Sequence, residues 1–131
     1  MKYCLDTNTL IYFFKGLGNV SNRLLATPPG EIAIPAVVLY EIEVGIGKST
    51  SPRKRINQLQ EITSLVDIIS FGLAEARCAA SIRIKLEQQG IPIGPYDILI
   101  ASSALANNYA LVTHNTSEFE RVSGLKIEDW Y

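Results

Sequence analysis

Short apolar runs separated by helix-length segments are the strongest constraint that this chain places on its own fold. Residues 2–5, 31–34, 66–71 and 110–113 read as strands, and Leu125–Ile127 offers an edge strand, four to five in all. Between them the periodicity predicts helices over Thr9–Lys15, Val20–Ala26 and Pro35 to about Gly47. Further helices are expected from the end of a basic stretch, Ser49–Arg55, to about Ser64, over Leu73–Gln89 with Gly90 closing it, and from Pro95 to about Asn108. Strands that are apolar throughout are buried on both faces, and helix-length crossovers join parallel neighbours. The expectation is an α/β fold: one domain over residues 1–131, with a central parallel sheet of four to five strands flanked by helices. In such sheets ligands bind outside the carboxyl ends of the strands.

Composition narrows the partners. Apolar residues make up 47% of the chain and charged residues 19%, enough for a core without disulfide or metal staples. Cys4 and Cys78 show no metal-ligand spacing and are expected buried and reduced. No signal-peptide h-region and no apolar run of membrane-spanning length is visible, so a cytoplasmic protein is expected. The formal net charge of -1 gives no bulk attraction for nucleic acid or membrane. A polyanion would have to be held by a local basic patch or by bound cations.

Several acidic residues fall where the sheet predicts a ligand site. Asp6 directly follows the first strand; it either caps the next helix or faces the carboxyl edge, since Thr7 and Asn8 are able to supply the cap. Glu41 shares a helical row with Val37 and Gly45, beside an apolar stripe of Leu39, Ile42 and Ile46, with Glu43 on the expected solvated face. Glycine one turn beyond a carboxylate weakens the helix by about 1 kcal/mol against alanine, and one reason to tolerate Gly45 is close approach of a backbone or ligand beside Glu41. Asp97 begins a helix that is otherwise apolar nearly all round. There it suits the helix dipole, yet a carboxylate at such a mouth is either paired or near a metal. After the last strong strand, Thr113 offers a hydroxyl to orient a neighbour, Asn115 a carbonyl oxygen and Glu118 a carboxylate. His114, the single histidine, suits the surface or a substrate contact better than a hard-metal site. Like charges about 4 Å apart repel by roughly 4 kcal/mol at an effective dielectric of 20, so such a cluster needs protons or a divalent cation.

These segments together resemble a known family. Asp6-Thr7-Asn8, Glu41-Ile42-Glu43-Val44-Gly45, Gly94-Pro95-Tyr96-Asp97-Ile98-Leu99-Ile100-Ala101 and Thr113-His114-Asn115-Thr116-Ser117-Glu118-Phe119 are similar to the four motifs of PIN-domain ribonucleases, in order and across essentially the whole chain. The closing run Gly124–Trp130 resembles the VapC toxins of bacterial toxin–antitoxin pairs, especially the branch that cuts initiator tRNA in the anticodon loop. The resemblance implies an endoribonuclease dependent on Mg²⁺, with Mn²⁺ as substitute, inhibited by a small VapB-type antitoxin and usually dimeric. It implies that Asp6 and Asp97 hold metal, that Glu41 and Glu118 complete the catalytic set, and that Thr7, Asn8, Thr113 and Asn115 support it. Many PIN domains carry Asp where Asn115 and Glu118 stand, which leaves both as candidates for the fourth ligand. Lys48, Arg53, Lys54 and Arg55 are either a solvated helix start or an RNA-backbone contact patch, whereas Tyr12, Phe13 and Phe14 suit core or subunit interface. A PIN-like binding module without catalysis is the rival reading, and it would be expected to have lost the acids.

Overall fold

The computed structural model describes residues 1–131. Five parallel strands, β1 (Tyr3–Leu5), β2 (Ile32–Pro35), β3 (Asp67–Ile69), β4 (Ala110–Val112) and β5 (Ile127–Glu128), form one sheet in the order β3-β2-β1-β4-β5. Tyr3 lies opposite Ile32 on one side and Ala110 on the other, so β1 is the middle strand and the order reverses beside it. Cys4, Leu5, Ile34, Leu111 and Val112 are fully buried, which is why these runs are apolar without alternation. Burial of each such side chain stabilises the fold by about 1.5–3 kcal/mol.

Seven helices supply the crossovers: α1 (Thr7–Lys15), α2 (Val20–Leu25), α3 (Ala36–Gly47), α4 (Pro52–Thr63), α5 (Leu73–Gln88), α6 (Pro95–Ala106) and α7 (Thr116–Phe119). As the pattern of α6 predicts, this helix is central, packing on α5, α3, β2 and β4. Its Ser102 and Ser103 are fully buried, and both hydroxyls donate to the Leu99 carbonyl at 2.9 Å, so no polar group is left unpaired. Gly90, at φ +71°, follows α5 where the chain must reverse its helical turn.

Several boundaries differ from expectation. Glu31 belongs to a short 3₁₀ turn, Pro29–Glu31, and β2 extends through Pro35, which then precedes α3. The basic stretch is not a loop before a helix: α4 starts at Pro52, a residue preorganised for the first helical position, so Arg53, Lys54 and Arg55 lie in its opening turn. The buried stripe of α3 is Val38, Ile42 and Ile46, at four-residue steps, with Leu39 half-buried. β3 is shorter than the run 66–71, α7 was not expected, and β5 pairs at Ile127–Glu128 rather than at 125–127. Both cysteines are free, and Cys78 is half-buried rather than buried.

Two glycines contrast. A Cβ at Gly45 would meet nothing within 4 Å, so no backbone approaches it and the expected tight contact beside Glu41 is not there. At Gly18, where φ is +60°, a Cβ would lie 2.5 Å from the Tyr131 carbonyl oxygen. That carbonyl accepts the Asn19 N–H at 2.7 Å. Beside it the buried Trp130 packs on Tyr3, with ring centroids 5.1 Å apart. In urea unfolding, Gly45→Ala is expected to raise stability by up to about 1 kcal/mol. Gly18→Ala should lower it by roughly 1–3 kcal/mol through the forced backbone shift; equal responses from the two would contradict this packing.

Candidate active site

The carboxyl ends of β1 and β4 lie side by side at the reversal of strand order, and Asp6 occupies the first of them. It is 4% exposed, and its Oδ1 accepts the Thr9 N–H at 2.8 Å. Of the two roles open to it, Asp6 takes the N-cap of α1, and neither Thr7 nor Asn8 supplies that cap. The cause is Thr9: its hydroxyl donates to the Val112 carbonyl at 3.0 Å, which anchors the first turn of α1 to β4 and presents its N–H to Asp6. Thr7 is thereby free, and its hydroxyl donates to Glu41 Oε1 at 2.7 Å. Asn8, expected to support the site, is exposed and makes no side-chain hydrogen bond.

The remaining acids converge on the same edge. Glu41 is half-buried on α3, whereas Glu43 is exposed, as the helical facing predicts. Asp97, half-buried in the first turn of α6, lies beside the Glu118 carboxylate. Burial, Glu118, and then the charges of Asp6 and Glu41 push the Asp97 pKa up to about 6. Burial likewise raises that of Asp6, with Glu41 adding to it and hydrogen bonds from Thr113 and Thr9 opposing it. Asn115 and Glu118 are joined directly. Its Nδ2 donates to Glu118 Oε2 at 2.9 Å, while its own N–H donates to the fully buried Thr113 hydroxyl at 3.0 Å. The amide thus orients the carboxylate.

No Lys, Arg or His pairs with any of these four acids; the three ion pairs of the chain lie elsewhere. Glu118, Asp6 and Glu41 are close enough to raise the Asp97 pKa, yet no three of the acids converge tightly enough to enclose an ion as they stand. Carboxylates and amide oxygens without a thiolate or imidazole are the donor set of a hard divalent cation, and the missing counter-charge is what such an ion supplies. The only histidine is occupied at the rim, where His114 Nδ1 meets Asp129 Oδ2 at 2.9 Å and the ring stacks on Tyr131 at 4.4 Å.

The basic residues divide. Arg55 donates to the Phe14 carbonyl at 3.0 Å and to Gln58 at 2.7 Å, tying α4 to the end of α1. It also lines, with Lys15, Glu41 and Gly45, a cleft of about 250 Å³ beside the acids. Lys48, Arg53 and Lys54 are exposed and outside the cluster. Three residues carry no sign of their role in the sequence pattern alone: Thr9, and the exposed pair Tyr40 and Tyr96, whose one signal is an aromatic directly preceding each of Glu41 and Asp97.

A parallel α/β sheet with an acid cluster at its carboxyl edge is the architecture of one class of nuclease domain, and the model of the PIN domain matches residues 3–125. The chain is 35% identical over 130 residues to the tRNA(fMet)-specific endonuclease VapC of Shigella flexneri, spanning 99% of this chain and 98% of that one. It is 38% identical over 135 residues to ribonuclease VapC2 of Rickettsia felis, with the same coverage. The chain therefore belongs to the PIN-domain family and, within it, to the VapC ribonucleases. Among solved structures it superposes on VapBC2 from Rickettsia felis bound to a promoter DNA fragment, with a TM-score of 0.92, 36% identity and all of both chains covered. The DNA-bound VapBC of Salmonella typhimurium gives a TM-score of 0.92 at 32% identity, covering 100% of this chain and 99% of that one.

The raised Asp97 pKa has a stability consequence whose sign follows from linkage. Below about pH 4 the group is protonated folded or unfolded and contributes nothing. As pH rises towards 6 the unfolded chain loses the proton first, so folding is progressively disfavoured, and above 6 the penalty is complete. Metal-free Asp97→Asn is accordingly expected to exceed the parent in stability at pH 7, by on the order of 1 kcal/mol, and to match it at pH 4. Chemical unfolding across that range measures the difference, and a variant several kcal/mol weaker at pH 7 would make Asp97 a structural partner instead.

Proposed function

We propose that this chain is a divalent-metal-dependent endoribonuclease, the toxin of a VapBC-type pair. The observation that carries the reading is the cluster of Asp6, Glu41, Asp97 and Glu118 at one sheet edge without a single cationic partner. Asp6 and Asp97 would hold Mg²⁺ or Mn²⁺. A bound ion of that kind supplies Lewis acidity, offsetting charge that builds on the phosphate and lowering the pKa of water.

The chain's own groups do the positioning. Thr9 and Thr113 hold Asp6 by hydrogen bonds that favour its charged form. Thr7 fixes Glu41, and Asn115 fixes Glu118 against Asp97. With its pKa about 6, Asp97 sheds most of its proton by neutral pH. Exposed Lys48, Arg53 and Lys54 would meet RNA phosphates, with Arg55 acting first as a strut between α1 and α4. This chemistry does not need the substrate 2′-OH, so the choice of RNA rests on the ribonuclease relatives. The names of two of them point to tRNA, and initiator tRNA cut in the anticodon loop is the substrate we assign. The solved VapBC assemblies support a VapB-type antitoxin as partner; a homodimeric toxin is part of the reading on the resemblance to VapC toxins alone.

Cleavage of initiator tRNA is expected to require Mg²⁺ or Mn²⁺, to stop with chelator and to resume when the ion is restored. Asp6→Asn should retain the helix cap, because Asn caps about as well as Asp; it and Asp97→Asn should each reduce the rate by orders of magnitude. Glu43→Gln should leave it near parental. Full activity in excess EDTA, or inactivation by Glu43→Gln alone, would reject the assignment.

A further inference from the structure

Tyr40 and Tyr96 directly precede Glu41 and Asp97, but on two helices separated by 56 residues of chain. The fold brings them together: their ring centroids are 5.7 Å apart at 51°, and their hydroxyls lie 3.4 Å apart. Both remain open to solvent, Tyr40 at 53% and Tyr96 at 44% exposed. Three of the other four tyrosines, Tyr3, Tyr12 and Tyr109, are half-buried, and Tyr131, also 44% exposed, is engaged with the rings of His114 and Tyr12. Scattered exposed apolar groups are ordinary, but two adjacent rings bordering an acid cluster are not scattered.

We infer that the Tyr40–Tyr96 pair is a binding site for an unpaired nucleobase next to the phosphate presented to the acid cluster. The inference rests on the nuclease reading above and adds what grips the substrate there. An acidic site repels a phosphate backbone, and no cationic side chain pairs with its acids. Of the two that line the cleft beside Glu41, Lys15 and Arg55, the latter is held by the Phe14 carbonyl and Gln58. A base is neutral and offers a π face whatever its identity, so an aromatic pair holds the strand without placing charge beside the carboxylates. Such a site takes single-stranded or looped RNA and discriminates against a duplex, whose bases are stacked on one another and withdrawn from a protein ring.

The test uses the full chain and an RNA hairpin with a single-stranded loop, supplied intact and with one base next to the cleaved bond removed. Steady-state cleavage with Mg²⁺ and equilibrium binding with Ca²⁺ are both measured. Tyr40→Ala and Tyr96→Ala should each raise KM and Kd about 5- to 100-fold, the loss of one base–ring stack, with kcat near parental at saturation. Tyr40→Phe and Tyr96→Phe should behave as the parent, because the ring and not the hydroxyl makes the contact. The abasic RNA should bind the parent as weakly as intact RNA binds the Ala variants, with little further loss when both changes are combined. Unchanged KM and Kd in the Ala variants, while the parent cuts RNA, would overturn the stacking site and leave the nuclease reading standing. A parent that binds but does not cut would overturn the nuclease reading, and the Kd comparison would still decide the tyrosines. If the Ala variants lose self-association and keep RNA affinity, the rings are a subunit contact and the proposal fails. Melting temperatures should stay parental, since neither ring is part of the core.

Discussion

Everything at the acidic edge depends on how β1 is joined to β4. The Asp6 N–H donates to the Val112 carbonyl at 3.2 Å, and the Thr9 hydroxyl donates to the same oxygen at 3.0 Å. That one carbonyl therefore ends the strand ladder and begins α1 at the same point. Asp6 is held with its backbone in the sheet and its Oδ1 on the helix, which leaves its other oxygen as the unassigned acceptor. Thr113, the next residue of the neighbouring strand, closes the pocket from the other side and orders Asn115, which orders Glu118. A chain of hydrogen bonds thus runs from the middle of the sheet to Glu118, the last of the four clustered acids in the sequence.

Much of this was legible in the residues. The runs that became β1, β2 and β4 are apolar throughout because they are covered on both faces, and they were recognisable for that reason. β3 and β5 lie at the edges, where Asp67, Ile68, Ile127 and Glu128 are only partly covered. Their limits are set by pairing partners and not by local pattern. The start of α4 was missed because a charged stretch reads as a loop, although Pro52 marks a first helical turn.

At the site, Asp6, Glu41 and Asp97 stood out because each is a carboxylate at a strand end, on a particular helical row or at a helix mouth. Their company was less visible. The sequence offers Asp6, Thr7, Asn8 and Thr9 in succession, and only the contact of Thr9 with Val112 decides which one caps α1. Asn115 and Glu118 are three residues apart on a short helix start, and their separate roles follow from a single 2.9 Å contact. Tyr40 and Tyr96 become a pair only when α3 and α6 meet. Local pattern carries the acids; long-range packing decides what stands between and beside them.

The strand order has a consequence for how the molecule comes into being. β1 is made first, but one of its two flanking strands, β4, is separated from it by about a hundred residues of chain. Contacts of such sequence separation form slowly, because the loop must close before any pairing energy is gained. During synthesis Asp6 therefore waits without its setting until Val112 and Thr113 have left the ribosome, and Glu118 follows only a few residues later. A nascent chain carries the acids long before it carries the site.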